Sequence, residues 1–150
     1  MLTLTRRVGQ SIYIDNAICI TVYDRLRYHT TIAVLSPANA EIKLGGAIIR
    51  PAILAGGERF YLLTLLSGDD FTIDEVRIAV RFRPTLLSVQ SLQKRQMKIS
   101  IDAPKSRLVQ REEVHFQKSG KKTSAMSTAT WLYCANRAVS SQISAYPVHA

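Results

Sequence analysis

The sequence predicts an all-β protein made of two short five-stranded copies that share one core. Three observations carry that expectation. Apolar and polar residues alternate at period two in both halves, turn signals separate the alternating runs, and one half realigns on the other. Leu4, Thr5, Gly9, Ile14 and Asp15 recur as Leu63, Thr64, Gly68, Ile73 and Asp74 at an offset of 59, and Ile32 and Pro37 recur as Ile99 and Pro104 at an offset of 67. The second copy therefore carries extra residues between its matched stretches.

In the first copy Leu2 and Leu4 alternate with Thr3 and Thr5, followed by Ile12 and Ile14, then Ile18, Ile20 and Val22, then Ile32 and Val34. Val8-Gly9, Asp15-Asn16 and Ser36-Pro37 punctuate these β-branched runs as turns. The second copy repeats the pattern with Phe71 and Ile73, then Val76, Ile78 and Val80, then Ile99 and Ile101, then Leu108 and Val109. The predicted boundaries are a first copy at 1–49, a linker at 50–59, a second copy at 60–117 with an insertion near 83–96, and a basic, flexible tail at 118–150. Pro51 and the pair Gly56-Gly57 are expected to break any regular element in the linker. In the insertion, Pro84 precedes Leu86, Leu87 and Leu92, which suits a lengthened hairpin or a short helix equally well. In the tail, Trp131, Ala135, Ala138 and Val139 fall at helical spacing. A unit of roughly 50 residues buries too little surface to be stable alone, so the two copies should share a core.

Composition bounds the function. The formal charge is +9, with balances of +3, +2 and +4 over 1–59, 60–117 and 118–150, and a basic balance favours polyanionic partners such as RNA. No apolar run is long enough to cross a bilayer and the first residues lack a secretory pattern, so a cytoplasmic protein is expected, with Cys19 and Cys134 reduced. His29, His115 and His149 stand in unrelated contexts, Asp69-Asp70 reads as a turn, and Gly45-Gly46 and Gly56-Gly57 lack a phosphate-loop ending. No enzyme, metal or cofactor is expected from these residues.

Met1-Leu2-Thr3-Leu4-Thr5-Arg6-Arg7-Val8-Gly9 and Asp102-Ala103-Pro104-Lys105 with Val109-Gln110-Arg111-Glu112-Glu113 resemble the two ends of the bacterial carbon storage regulator (CsrA/RsmA) family. The resemblance implies an intertwined, dimer-like β-barrel or sandwich in which each five-stranded unit completes the other. It implies binding of GGA-containing hairpin loops in messenger leaders, or in small regulatory RNAs, and repression of translation by masking the ribosome-binding site. In the family each RNA site is composite, with the first strand of one unit beside the last strand of the other. Carried onto this chain, that site takes Leu4, Thr5, Arg6 and Arg7 from the first copy, and Ala103, Pro104, Lys105, Val109, Gln110, Arg111, Glu112 and Glu113 from the second. Gln110 departs from the family, which often has His there.

The other composite site is degenerate. Leu65 and Leu66 stand in place of Arg6 and Arg7, and Leu44, Gly45 and Gly46 in place of Arg111, Glu112 and Glu113. The resemblance therefore implies a monomeric pseudodimer with one live RNA site and one retired site. Parity along a strand puts Leu4 with Arg6, Thr5 with Arg7, and Val109 with Arg111. Guanidinium planes can stack on unpaired bases while strand edges hydrogen-bond guanine. The plain alternative for Arg6 and Arg7 is an ordinary solvated strand edge, and for Arg111-Glu112-Glu113 a surface charge cluster. The paired loss in the other copy argues for function, and its leucines are expected to lie under residues 86–92 or the Trp131 region. A second functional class also fits the apolar retired site and the tail: a protein that pairs with or antagonises other members of the family.

Overall fold

The computed structural model describes residues 1–83 and 96–119. The predicted insertion, apart from its ends, and the tail beyond residue 119 lie outside them. Twelve strands and one helix follow in chain order among the described residues. The first copy contributes β1 (Leu2–Arg7), β2 (Ser11–Ile14), β3 (Ile18–Arg25), β4 (His29–Ser36) and β5 (Ile42–Leu44). Two short strands follow, β6 (Ala47–Ile48) and β7 (Ala52–Ile53). The second copy contributes β8 (Arg59–Leu66), β9 (Asp70–Ile73), β10 (Val76–Arg81), β11 (Gln96–Asp102) and β12 (Val109–Arg111), then α1 (Glu112–Ser119).

These strands form two antiparallel sheets, ordered β1-β11-β10-β9-β5-β6 and β12-β2-β3-β4-β8-β7. The all-β expectation holds, as a sandwich and not as a closed barrel. Each sheet takes strands from both halves: β1 pairs with β11 with Leu4 opposite Ile99, and β8 pairs with β4 with Leu63 opposite Ile32. Likewise β12 lies against β2, and β5 against β9. Ile12, Ile14, Ile20, Ile32 and Val34 of one sheet and Phe71, Ile73, Ile78, Ile99 and Ile101 of the other meet in a single apolar core. Neither half could bury these faces alone, because each sheet lacks two strands without its counterpart.

The turns repeat in detail. Gly9 and Gly68 take positive φ of 90° and 94°, which lets their amides reach the Val22 and Val80 carbonyls at 2.8 and 2.9 Å. Asp15 accepts the Leu108 amide at 2.8 Å, and Asp74 accepts that of Glu41 at 3.1 Å, so each carboxylate clamps a strand entry from the opposite copy. Asp15 also meets Arg107, whose other nitrogen reaches Glu75 at 3.0 Å. Replacing Asp15 by Ala is expected to cost about 1–2 kcal/mol in a urea titration, because the Leu108 amide loses its acceptor and Asp15 holds φ 55°, which Ala disfavours.

One expectation requires correction. The linker does not lack regular structure: Ala52 and Ile53 pair with Phe60 and Arg59, and Gly57, at φ 85°, closes the tight hairpin between β7 and β8. Pro51 precedes that strand and Gly56-Gly57 form its turn, so the breakers delimit a short strand instead of excluding one.

Candidate nucleic-acid interface

Among the described residues β1 and β12 are the outermost strands of opposite sheets, so there each keeps one row of backbone groups unpaired by a neighbouring strand. They are not sheet neighbours, since β1 pairs with β11 and β12 with β2. Side-by-side pairing of the first and last strands is thus replaced by a corner where two sheet edges approach.

Arg6 closes that corner. Its Nη1 donates to Glu113 Oε1 at 3.0 Å across 107 positions of sequence, and its Nε donates to the Thr5 carbonyl at 2.8 Å. The Arg6 side chain is 7% exposed and that of Glu113 50%, so the pair bridges the interior and the surface. Parity is as expected: Leu4 and Arg6 face inward, whereas Thr5 and Arg7 face solvent. A consequence not foreseen from the sequence is that Arg6 ties β1 to the start of α1 and presents little surface of its own.

At the other half of the corner, Val109 packs against the core and Arg111 is exposed. Gln110 points to the opposite side of β12, buried and paired in register with Tyr13, and so is separated from Arg111. Glu112 and Glu113 open α1 instead of extending the strand, where two carboxylates favour the positive end of the helix. Ala103 packs on the core, and Pro104 and Lys105 are exposed in the turn that Pro104 closes on the Arg107 amide at 2.9 Å. The exposed members of the predicted set are therefore Thr5, Arg7, Pro104, Lys105, Arg111 and Glu113. Leu4, Arg6 and Gln110 are buried beneath or behind them. Ser11, whose carbonyl accepts from Arg6 Nη1 at 3.5 Å, helps shape the corner, yet no motif singles it out in the sequence.

Burial holds the Glu112 carboxyl above its ordinary range, and the neighbouring Glu113 charge pushes the same way against Arg6 and Ser11. The folded state then binds more protons than the unfolded state just above the ordinary value of 4.5. Stability should fall as pH rises through that window, and Glu112→Gln is expected to flatten this decline in pH-dependent thermal melts.

The equivalent corner is built differently. Leu65, in the place of Arg6, is fully buried within the core between the sheets, and Leu44 packs on its rim. The expected cover for these leucines, residues 86–92 or the Trp131 region, lies outside the described residues. Leu66, in the place of Arg7, is exposed. Gly45 and Gly46 take φ of 60° and 82° in a turn that folds β6 back onto β5, with Leu44 opposite Ala47. The edge that β12 leaves open is filled here by β6, and β7 lies along the first residues of β8.

This asymmetry also accounts for the joint charge loss. A buried guanidinium without its carboxylate is costly, so Leu at 65 accompanies the absence of Glu at Gly46 on packing grounds alone. Among the described residues no group of three or more His, Cys, Asp or Glu could hold a metal ion, and no helix is long and apolar enough to cross a membrane.

Comparison with curated proteins and with solved structures gives no match. Residues 1–43 match the profile of the CsrA family, described as a global regulator protein family; the match takes in β1 to β4 and the start of β5. The first copy, which supplies β1 and Arg6 to the open corner, is thus similar to the CsrA family of global regulators over residues 1–43.

Proposed function

We propose that the chain is a single-chain pseudodimer of two CsrA-like copies that binds one GGA-containing RNA loop at the corner of β1 and β12, and represses translation by masking the ribosome-binding site of its messages. The observation that carries this reading is the Arg6–Glu113 ion pair at 3.0 Å, which joins the first-strand motif of one copy to the closing motif of the other. Around it Thr5, Arg7 and Arg111 are exposed beside two strand edges left open among the described residues, and Lys105 is exposed in the turn beyond the far end of β1. Cations that stack on bases and contact phosphates, next to main-chain donors and acceptors, suit a splayed single-stranded loop better than a duplex.

The other corner supports a single site. It lacks the arginines, and β6 occupies the strand edge on which a loop would lie. Titration calorimetry with a GGA hairpin is expected to give one RNA per chain, with no bridging of two loops on one message. Two equivalent RNA molecules per chain, or equal affinity for a hairpin whose loop lacks GGA, would overturn the proposal.

A second reading is favoured by one observation: Leu66, Ile48 and Ile53 are exposed on β8, β6 and β7. Apolar side chains on those strands suit a protein partner, such as another member of the family that the chain would antagonise. If RNA retention is weak and unchanged by Arg7→Ala and Arg111→Ala, this reading replaces the first.

A further inference from the structure

The outer face of the β1–β11–β10 sheet is divided by charge along its strands. Near the corner Arg7 stands opposite Gln96 and Thr5 opposite Lys98, and Lys98 stands opposite Arg81 on its other side. Arg83 follows two residues beyond the end of β10, where its carbonyl accepts from Arg25 Nη2. Arg7, Lys98, Arg81 and Arg83 are all exposed. With strands about 4.8 Å apart and like-facing neighbours about 6.8 Å apart, the four cations share a patch of about 10 by 7 Å.

Toward the other end the face is neutralised. Arg77 pairs with Asp70 and stands opposite Asp102, and Lys43 pairs with Glu41. Among the described residues no carboxylate pairs with any cation of the patch. Like charges directly opposite on neighbouring strands lower stability, so Lys98 against Arg81 is a cost that an anion lying over them would relieve.

The second sheet supplies the comparison. Thr64, Thr31 and Asp24 stand there in the places of Thr5, Lys98 and Arg81, and Leu66 and His29 in those of Arg7 and Gln96. Arg25 is buried, and Arg27 lies beyond these strands in the turn between β3 and β4. The cations are thus present on the sheet whose corner is open and absent from the strands of the sheet whose corner is closed. Charge kept for solubility alone would serve on either sheet.

We propose that the duplex stem of an RNA whose loop sits at the β1–β12 corner lies across this patch, with Lys98, Arg81 and Arg83 on its phosphates. The inference rests on the RNA reading above and extends it from the loop to the stem. A duplex is the occupant that the side chains fit. The outward residues of β1, β11 and β10 include cations and hydroxyls but no aromatic ring on which an unpaired base could stack. Such groups meet phosphates and 2′-hydroxyls, the contacts that hold A-form RNA without regard to sequence. Arg7 belongs to both surfaces, at the open edge of β1 and at the start of the patch, so loop and stem meet one continuous surface.

The test compares two hairpins with the same GGA loop, one closed by the shortest stem that folds and one by a full helical turn. The unmodified chain should bind the longer hairpin about tenfold more tightly, with a salt slope steeper by about three, one for each cation. Arg81→Gln with Arg83→Gln should lower that slope by about two and weaken the longer hairpin about fivefold, leaving affinity for the short one unchanged. Arg77→Gln with Lys43→Gln removes the same charge from the other end of the face and should keep the stem's contribution. A chain that gains nothing from the longer stem overturns the proposal while RNA binding at the corner stands. So does a loss from Arg81 and Arg83 that is equal for both hairpins, or is matched by the Arg77 and Lys43 pair. Failure to bind either hairpin ends the RNA reading and this proposal together.

Discussion

Replacing Arg111 by Ala is expected to weaken binding of a GGA hairpin by about 10- to 100-fold while leaving the thermal midpoint unchanged. Arg111 is exposed at the end of β12, opposite Ile12 in register, and α1 begins at the next residue. Truncating an exposed side chain removes little packing, so the fold should be indifferent. A guanidinium that stacks on a base and contacts phosphate contributes about 1–3 kcal/mol to binding, which is the stated range at 1.4 kcal/mol per decade. The loss should be accompanied by a decrease of about one in the salt slope of the binding constant, because one phosphate contact disappears. Arg77→Ala makes a suitable control: Arg77 pairs with Asp70 on the outer face of β10, away from the corner. Equal losses from Arg77→Ala and Arg111→Ala would mean that net charge, and not the corner, holds the RNA.

Much of the fold was legible in the sequence because alternation and turn chemistry act locally. Gly9 and Gly68 recur since both turns demand positive φ, and Asp15 and Asp74 recur since both clamp an amide from the opposite copy. The strand interiors followed from Ile12, Ile14, Ile32 and Val34 on one face of the period. What the sequence concealed depends on contacts between distant segments. Neither β6 at the end of the first copy nor β7 in the linker could be read from alternation, because two-residue strands have no period and exist only through pairing with β5 and β8. The motif showed Arg6 and Arg7 as equals, but inward parity and the reach to Glu113 make one a buried tie and leave the other on the surface. Glu112 and Glu113 read as strand because the matching motif runs through them, whereas their place at the end of β12 lets them begin a helix.

The second large effect concerns the tie itself, and the molecule contains its own comparison. At the closed corner Leu65 fills the place that Arg6 fills at the open one, with no exposure to water and no acidic partner at Gly46. Glu113→Ala alone strands a guanidinium that is 7% exposed, and Arg6→Leu alone leaves two carboxylates adjacent at the start of α1 without their cation. Each single change is expected to cost about 1–3 kcal/mol, below the range for fully buried pairs because Glu113 is half in water. Together they should cost less than their sum by about 1–2 kcal/mol in urea titrations, since the double variant removes both charges and restores the apolar packing seen at Leu65. Ala is the appropriate replacement at 113, because Gly would add about 1 kcal/mol of helix cost in α1 that the turn at Gly46 does not incur. The double variant should nevertheless bind the hairpin about tenfold more weakly, as β1 and α1 are no longer held together at the edge where the proposed site places Thr5, Arg7 and Arg111. Strictly additive stability losses would show that Arg6 and Glu113 act independently, and unchanged RNA affinity would show that the corner does not need its tie.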